Sequence, residues 1–306
     1  MVGVIVIFVM PSEIEDLALT LNNLKRSSIH INKDMIEYKI SINICLSDKL
    51  TDWKKSKLPK EYIADRATEL CKKYIDWCEY DLLIEYTNKT IGCDSFRRKA
   101  LQENLNADFF IWLDCDILCG DAVLDFMATS AKMIKGKNIE YYIVTPEILK
   151  HWDKSWDCLV NPSYLNWTFE QRLDINLYRE CILNRHPTSF NARVVNDFKF
   201  AGGWFTLISR ELLELITIPD SFGHYGAADT FIMQCCKLIR NSGGLIAQYA
   251  ISNLVMGEYY KYRTNKSVLK YISPINNKEK FRKESITHFN TELEKFKIRL
   301  KKKLNK

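Results

Sequence analysis

Phe109-Phe-Ile-Trp-Leu-Asp-Cys-Asp116 decides how this chain is read. Five apolar residues in a row have the composition of a β-strand buried on both faces. They run without a break into two aspartates two residues apart. In extended chain, residues i and i+2 point the same way. The spacing therefore predicts that Asp114 and Asp116 face one space beyond the strand's carboxyl end, where open α/β sheets bind ligands. Two carboxylates held together repel each other unless a cation or donors compensate. Mg2+ and Mn2+ take oxygen ligands and are shared between carboxylates and substrate phosphates, so Asp114 and Asp116 are the candidate metal ligands. The bland reading is a strand that simply ends in a turn, where Asp is common.

Upstream, Val4 to Val9 is another continuous apolar run and predicts a first buried strand, with Pro11 ending it. Leu17, Leu21 and Leu24 recur at helical spacing after a Ser12 that can cap the helix. Further strands are predicted at Tyr38–Leu46 and Asp81–Tyr86, and helices at 61–78 and Ser95–Leu105. Strands alternating with helices imply parallel pairing with right-handed crossovers. This is a Rossmann-like nucleotide-binding half. Downstream, strands are expected at 141–146, Phe198–Ser209 and 245–251, and helices at 210–216 and 227–241. Residues 151–168 form an aromatic-rich loop (Trp152, Trp156, Tyr164, Trp167) suited to stacking on a ligand or to filling a core.

The 306 residues are 47% apolar and 27% charged, enough to build a sizeable core. Ten cysteines show no C-x-x-C pair, and several lie in apolar runs (Cys45, Cys115, Cys119, Cys235, Cys236). They read as reduced, buried thiols of a cytoplasmic protein. The apolar start is too short to span a bilayer and lacks the features of a signal peptide. Charge is uneven. Residues 278–306 carry 11 Lys/Arg against 4 Glu, a net of +7, so residues 1–277 sum to −1 of the total +6. Ile286, Phe289, Leu293, Phe296 and Leu300 make this tail an amphipathic helix. Packing on the body is its default reading, and peripheral contact with a membrane surface is the second. A nucleic-acid partner would have to rest on the tail alone and is not expected. Oligomeric state is not legible.

Three blocks resemble family 2 glycosyltransferases, enzymes of the GT-A fold. The first is Gly92-Cys-Asp-Ser-Phe-Arg-Arg-Lys-Ala-Leu-Gln-Glu-Asn-Leu-Asn-Ala-Asp-Phe-Phe-Ile-Trp-Leu-Asp-Cys-Asp116, which looks like the family's Gly, Arg-Asn pair, apolar strand and D-x-D. Arg98 falls at the family's Arg position and Lys99 replaces the usual Asn. The resemblance places Asp94 and Arg98 near the nucleotide, Ser12 and Val4–Ser12 around the nucleoside, and Asp114 with Cys115 at the donor. The alternative is that Arg97, Arg98 and Lys99 are a solvated helix face. The second block is Lys199-Phe-Ala-Gly-Gly-Trp-Phe-Thr-Leu-Ile-Ser-Arg-Glu-Leu-Leu213. Here Gly202 and Gly203 would let backbone approach the donor sugar, or fix a β-bulge, or both. The third, Phe222-Gly-His-Tyr-Gly-Ala-Ala-Asp-Thr-Phe-Ile232, is similar to the family's Y-G-x-E-D-T segment. It makes Asp229 the candidate base for an acceptor hydroxyl, although the position also suits a helix cap. Ala228 stands where an acidic residue is usual. A third metal ligand is open, with His224, Asn253 and Glu258 as candidates.

The resemblance implies an α/β chain of GT-A type with a mixed central sheet. Residues 1–120 would form the nucleotide-sugar half, 121–275 the acceptor half and 276–306 the basic helix. It further implies a metal-dependent (Mn2+ or Mg2+) transfer from a nucleoside diphosphate sugar to a hydroxyl of a glycan or glycolipid; with Asp229 as base the reading is inversion, although the fold alone does not decide the anomeric outcome. A UDP-sugar is favoured over a GDP-sugar. The alternatives carried are a binding module of the same fold without catalysis and a transferase glycosylating nucleic acid. Two rivals fit poorly. A dehalogenase-type phosphatase carries its D-x-D on the first strand and has Thr or Val where this chain has Leu118. A nucleotidyltransferase needs a Gly-rich loop where this chain has Met10-Pro-Ser-Glu13.

Overall fold

The chain alternates the faces of its central strands. In the computed structural model, β1 (Val2–Val9) points Ile5, Ile7 and Val9 into one core and Val4 and Val6 into another. β4 (Phe109–Asp114) does the same with Phe109, Ile111 and Leu113 against Phe110 and Trp112. A strand buried on both sides must be apolar at every position, which is why both runs are continuous. The structure describes residues 1–47, 59–87, 93–115, 117–118, 122–146, 192–194, 205–220, 222, 228–251, 257–258 and 278–304.

The other strands are β2 (Glu37–Ser47), β3 (Glu79–Thr87), β5 (Ile117–Leu118), β6 (Tyr141–Pro146), β7 (Ala192–Val194), β8 (Phe205–Ser209), β9 (Ile246–Ile251) and β10 (Gly257–Glu258). Of the ten strands among the described residues, eight form one sheet in the order β3-β2-β1-β4-β8-β6-β9-β7. The β3 to β4 stretch is parallel. β8 then runs antiparallel to both β4 and β6, β6 and β9 are parallel, and β7 closes the edge antiparallel. The architecture is α/β with the mixed central sheet expected. The strands of the first half and those of the second share this one sheet.

Helices α1 (Asp16–Ser28), α2 (Lys60–Tyr74) and α4 (Val123–Lys135) cover the first face; their Leu17, Leu21, Ala67 and Met127 join the core of Ile5 and Ile7. The second face is covered by α3 (Cys93–Glu103), α5 (Arg210–Ile216), α6 (Ala228–Asn241) and α7 (Lys278–Leu304). The helix boundaries at 210–216 and 228–241 match the expected ones closely. Gly3 is required by packing, because a Cβ there would stand 2.5 Å from the Phe109 ring.

One expectation is corrected and one is met. α1 does not start after Ser12. Pro11–Glu13 form a 3-10 turn, and α1 begins at Asp16 with Glu15 at its N-cap position. That turn is closed by the Glu13 N–H donating to the Met10 carbonyl and the Met10 N–H donating to the Glu13 carboxylate. The tail follows its default reading and packs on the body. Phe296 and Leu300 are fully buried, with Phe289 and Leu293 packed beside them, and the Arg299 guanidinium donates to the Ile216 carbonyl at 2.9 Å. The predicted stripe is therefore spent on the protein's own core. No helix among the described residues is long and apolar enough to cross a membrane.

Asp108 ties this frame together. Its carboxylate accepts the Val2 N–H at 2.7 Å and pairs with Lys135, joining the starts of β1 and β4 to the end of α4. Burial opposes its ionisation, but the Lys135 ammonium and the Val2 N–H outweigh it and hold the carboxyl below its ordinary value. The unfolded chain then binds more protons in acid, so this stability is present above the ordinary carboxylate value and lost as pH falls through the folded one. Asp108→Asn is expected to cost about 1–2 kcal/mol at neutral pH and to flatten the acid limb of stability. Urea unfolding across a pH series checks both; an unchanged acid limb would refute the assignment.

Candidate functional site

The order β3-β2-β1-β4 reverses direction between β1 and β4. Crossovers on the two sides of such a reversal diverge and leave a crevice at the strands' carboxyl ends. Asp114 is the last residue of β4 and lies in register with Phe8 of β1, at the mouth of that crevice. It lies at the end of the even-numbered face of β4, two residues beyond Trp112 and on the side of α3 and α6. Its side chain is 38% exposed at the strand's end.

α3 supplies the charges around it. Asp94, in the helix's first turn, is 1% exposed. Arg97, one turn on, is 9% exposed at its side chain and donates to Asp94 Oδ1 at 3.1 Å. The same guanidinium stands 4.0 Å from Asp114 Oδ1 and lies over the Trp112 ring, 4.2 Å from its centroid. A guanidinium stacked on an indole and forked between two carboxylates is held in place by its planarity. Burial raises the Asp94 carboxyl above its ordinary value, Arg97 and Arg98 pull it down, and the negative charge of Asp229 pushes it further up. Asp229 is thus within electrostatic reach of the same group. It stands in the first turn of α6, where its Oδ1 accepts the Thr230 N–H at 2.7 Å.

Arg97 is the residue that reading the sequence missed. The triplet 97–99 was open to a solvated helix face, with Arg98 as the nucleotide candidate. Instead Arg98 is used by the chain: it donates to the Pro219 carbonyl at 2.7 Å and to Ser95 Oγ at 3.0 Å, and pairs with Asp220 at 2.9 Å. Lys99 pairs with Glu85. Arg97 turns inward because Phe96 and Ala100 on either side of it pack against the sheet, rotating that face of α3 toward β4.

The i, i+2 argument holds only as far as the strand does. β4 stops at Asp114 and Cys115 lies in a turn. Cys115 is buried, its carbonyl accepts the Thr20 hydroxyl and its thiol donates to Glu13 at 3.0 Å. Asp116, Gly202, Gly203, His224, Asn253 and the aromatic stretch 151–168 lie outside the described residues. Glu258 is described in its backbone: β10 pairs with β5, setting Glu258 opposite Ile117, one residue past Asp116. Ser12 sits in the 3-10 turn that follows β1, at the same end of the sheet.

Among the described residues there is no cluster of three or more metal-ligating side chains. The donors fit a hard cation nonetheless, since Mg2+ and Mn2+ bind diphosphate through as few as one or two carboxylates. Asp114 offers an oxygen of that kind. The Arg97 guanidinium beside it means that its charge is already partly balanced.

No protein-family model matches the chain, and no curated protein matches it. Among solved structures it is similar to S. aureus TarS 1-349 in complex with UDP-GlcNAc, with 14% identity over 83% of this chain and 59% of that one and a TM-score of 0.46. It is similar to GalNAc-T7 with UDP, GalNAc and Mn2+ at 14% identity, over 83% of this chain and 44% of that one, with a TM-score of 0.46. A UDP-glucose pyrophosphorylase complexed with UDP-glucose aligns at 8% identity over 89% and 99%, with a TM-score of 0.41. The chain spans less than two thirds of the length of the first two. These are likenesses in the course of the chain.

Proposed function

We propose that this chain is a GT-A glycosyltransferase that moves a sugar from a nucleoside diphosphate sugar, by preference a UDP-sugar, to a hydroxyl of a glycan or glycolipid. The observation that carries the reading is Asp114 at the carboxyl end of β4, beside the reversal of strand order, with Arg97 and Asp94 behind it. A crevice of this kind accepts a nucleotide, and an exposed carboxylate there suits a cation on its diphosphate.

Asp114 and Asp116 would hold Mn2+ or Mg2+, with Glu258 a candidate further ligand. Bound there, the ion would neutralise the charge that develops on the departing diphosphate. Arg97 orients Asp114 and keeps the buried Asp94 balanced. Asp94 and the Val4–Ser12 segment shape the nucleoside side, and Gly202-Gly203 the sugar side. Asp229 takes the proton of the acceptor hydroxyl as its oxygen attacks the anomeric carbon. The bond from that carbon to the diphosphate oxygen breaks, and its electron pair leaves with the diphosphate, giving inversion.

A panel of UDP-, GDP- and dTDP-sugars tests this through thermal stabilisation in Mn2+. One donor class is expected to raise the Tm, with the effect lost on chelation and in Asp114→Asn. That variant keeps the volume of the side chain and removes its charge, so at least about 100-fold of the metal-dependent turnover should go with it. A chain stabilised by donor that never releases nucleoside diphosphate would be a binding module. A chain that no donor stabilises, with or without metal, would sink the proposal.

A further inference from the structure

At the end of the sheet opposite the candidate site, three large aliphatic side chains stand in solvent. Ile29 is 79% exposed, Leu105 72% and Leu245 71%. Each occupies the connection from a helix to a following strand: α1 to β2, α3 to β4 and α6 to β9. Strand register places these connections at one end of the sheet, since Val2 lies opposite Glu37, Gly3 opposite Phe109 and Tyr141 opposite Ile246, with α1 on one face and α3 and α6 on the other. Short helix-to-strand turns are normally polar with Gly or Asn, so three exposed aliphatic tips at one end require a reason.

The same end of the sheet is basic where α4 and α7 finish. Lys132 and Lys135 lie in the last turn of α4, and Lys301, Lys302 and Lys303 in the last turn of α7. The end of α7 is fixed there by Lys303, whose ammonium sits 5.3 Å from the centroid of the Tyr141 ring at the start of β6. Lys132, Lys301 and Lys302 are exposed and have no acidic partner among the described residues. Lysine at a helix's last turn complements the helix dipole, which accounts for one or two of these charges but not for the aliphatic tips beside them.

We infer that this basal end docks on an anionic membrane surface, with Leu105, Leu245 and Ile29 entering the boundary between headgroups and acyl chains and the lysines meeting the headgroups. The combination selects the partner. Nucleic acid would use the lysines and leave the aliphatic tips in water. A second copy of the chain would bring lysine against lysine, which like-charge repulsion opposes. An anionic bilayer takes both. The apolar stripe of α7 is buried in its own body and takes no part, so the contact differs from that of a peripheral amphipathic helix. Docked this way, the carboxyl ends of the strands stand ~20 Å above the lipid, the length of six or so residues in extended chain. The inference does not depend on which reaction the site performs.

Co-sedimentation of the full chain with phosphatidylcholine vesicles, with and without about 30% phosphatidylglycerol, tests it. Binding is expected to the anionic vesicles only, and to fall as salt is raised. Leu105→Ser/Leu245→Ser should weaken it at least about ten-fold with an unchanged melting curve. Lys301→Glu/Lys302→Glu, which leaves the aliphatic tips in place, should do the same and guards against misfolding of the first variant. Three results would overturn the inference: no preference for anionic vesicles, variants that bind like the parent chain, or self-association that consumes this end and is lost in the serine variant.

Discussion

Arg97→Met is expected to remove about 3–5 kcal/mol of stability, the cost of leaving one member of a buried ion pair without its partner. Asp94 is 1% exposed, and its carboxylate would keep the desolvation penalty while losing the guanidinium 3.1 Å away. Methionine preserves much of the packing on Trp112, so the loss reports charge more than volume. Asp94 already has a raised pKa because burial outweighs the attraction of Arg97, and losing Arg97 raises it further. A carboxyl with a raised folded pKa binds its proton more tightly in the folded state. Stability is then greatest below the unfolded value and is lost as pH rises through the folded one. The variant should therefore recover part of its deficit on acidification, and Asp94→Asn in the same chain should restore most of it at neutral pH. Denaturant unfolding of the parent chain and the two variants against pH measures this. A loss under about 1 kcal/mol, or one indifferent to Asp94→Asn, would show that the pair is not coupled as the geometry has it.

Asp229→Asn is expected to lower transfer by about 100- to 10,000-fold, the range a positioned general base contributes, with donor affinity retained. Asparagine is the informative choice because its carbonyl oxygen can still accept the Thr230 N–H that Asp229 accepts at 2.7 Å. The start of α6 is then preserved while the proton acceptor is removed. Asp229→Ala loses both. Transfer surviving in the asparagine variant and falling only in the alanine one would mean that Asp229 is there to begin a helix. Steady-state transfer and donor-binding titrations of the two variants separate the roles.

Strand positions were legible in the sequence because a strand buried on both faces writes itself as an unbroken apolar run. Val4–Val9 and Phe109–Leu113 did so, and Asp114 followed as the first charge beyond the second run. The helices at 210–216 and 228–241 were equally local, since their spacing and caps lie within their own residues. Arg97 was not legible. Arg97 and Arg98 are the same residue type on adjacent positions, and nothing between Cys93 and Glu103 says which one faces the sheet. That is decided by where Phe96 and Ala100 pack, and those partners come from β1, β2, β3 and β4. The family resemblance favoured Arg98, whereas tertiary packing gives Arg98 to the turn at Pro219 and brings Arg97 to Asp94 and Asp114.

By itself, then, the sequence determined the longer elements, though not the short β5, β7 and β10, together with the alternation that makes the sheet α/β and the carboxylate at the end of its fourth strand. All of these are set by residues close in the chain. Only the tertiary structure decided that β8 enters antiparallel between β4 and β6, that the tail's apolar stripe closes the second core, that Glu258 lies across from Ile117, and that the exposed turns gather at one end of the sheet. Each of these joins residues far apart in the chain, and no local preference can choose among the pairings that would satisfy the same apolar surfaces.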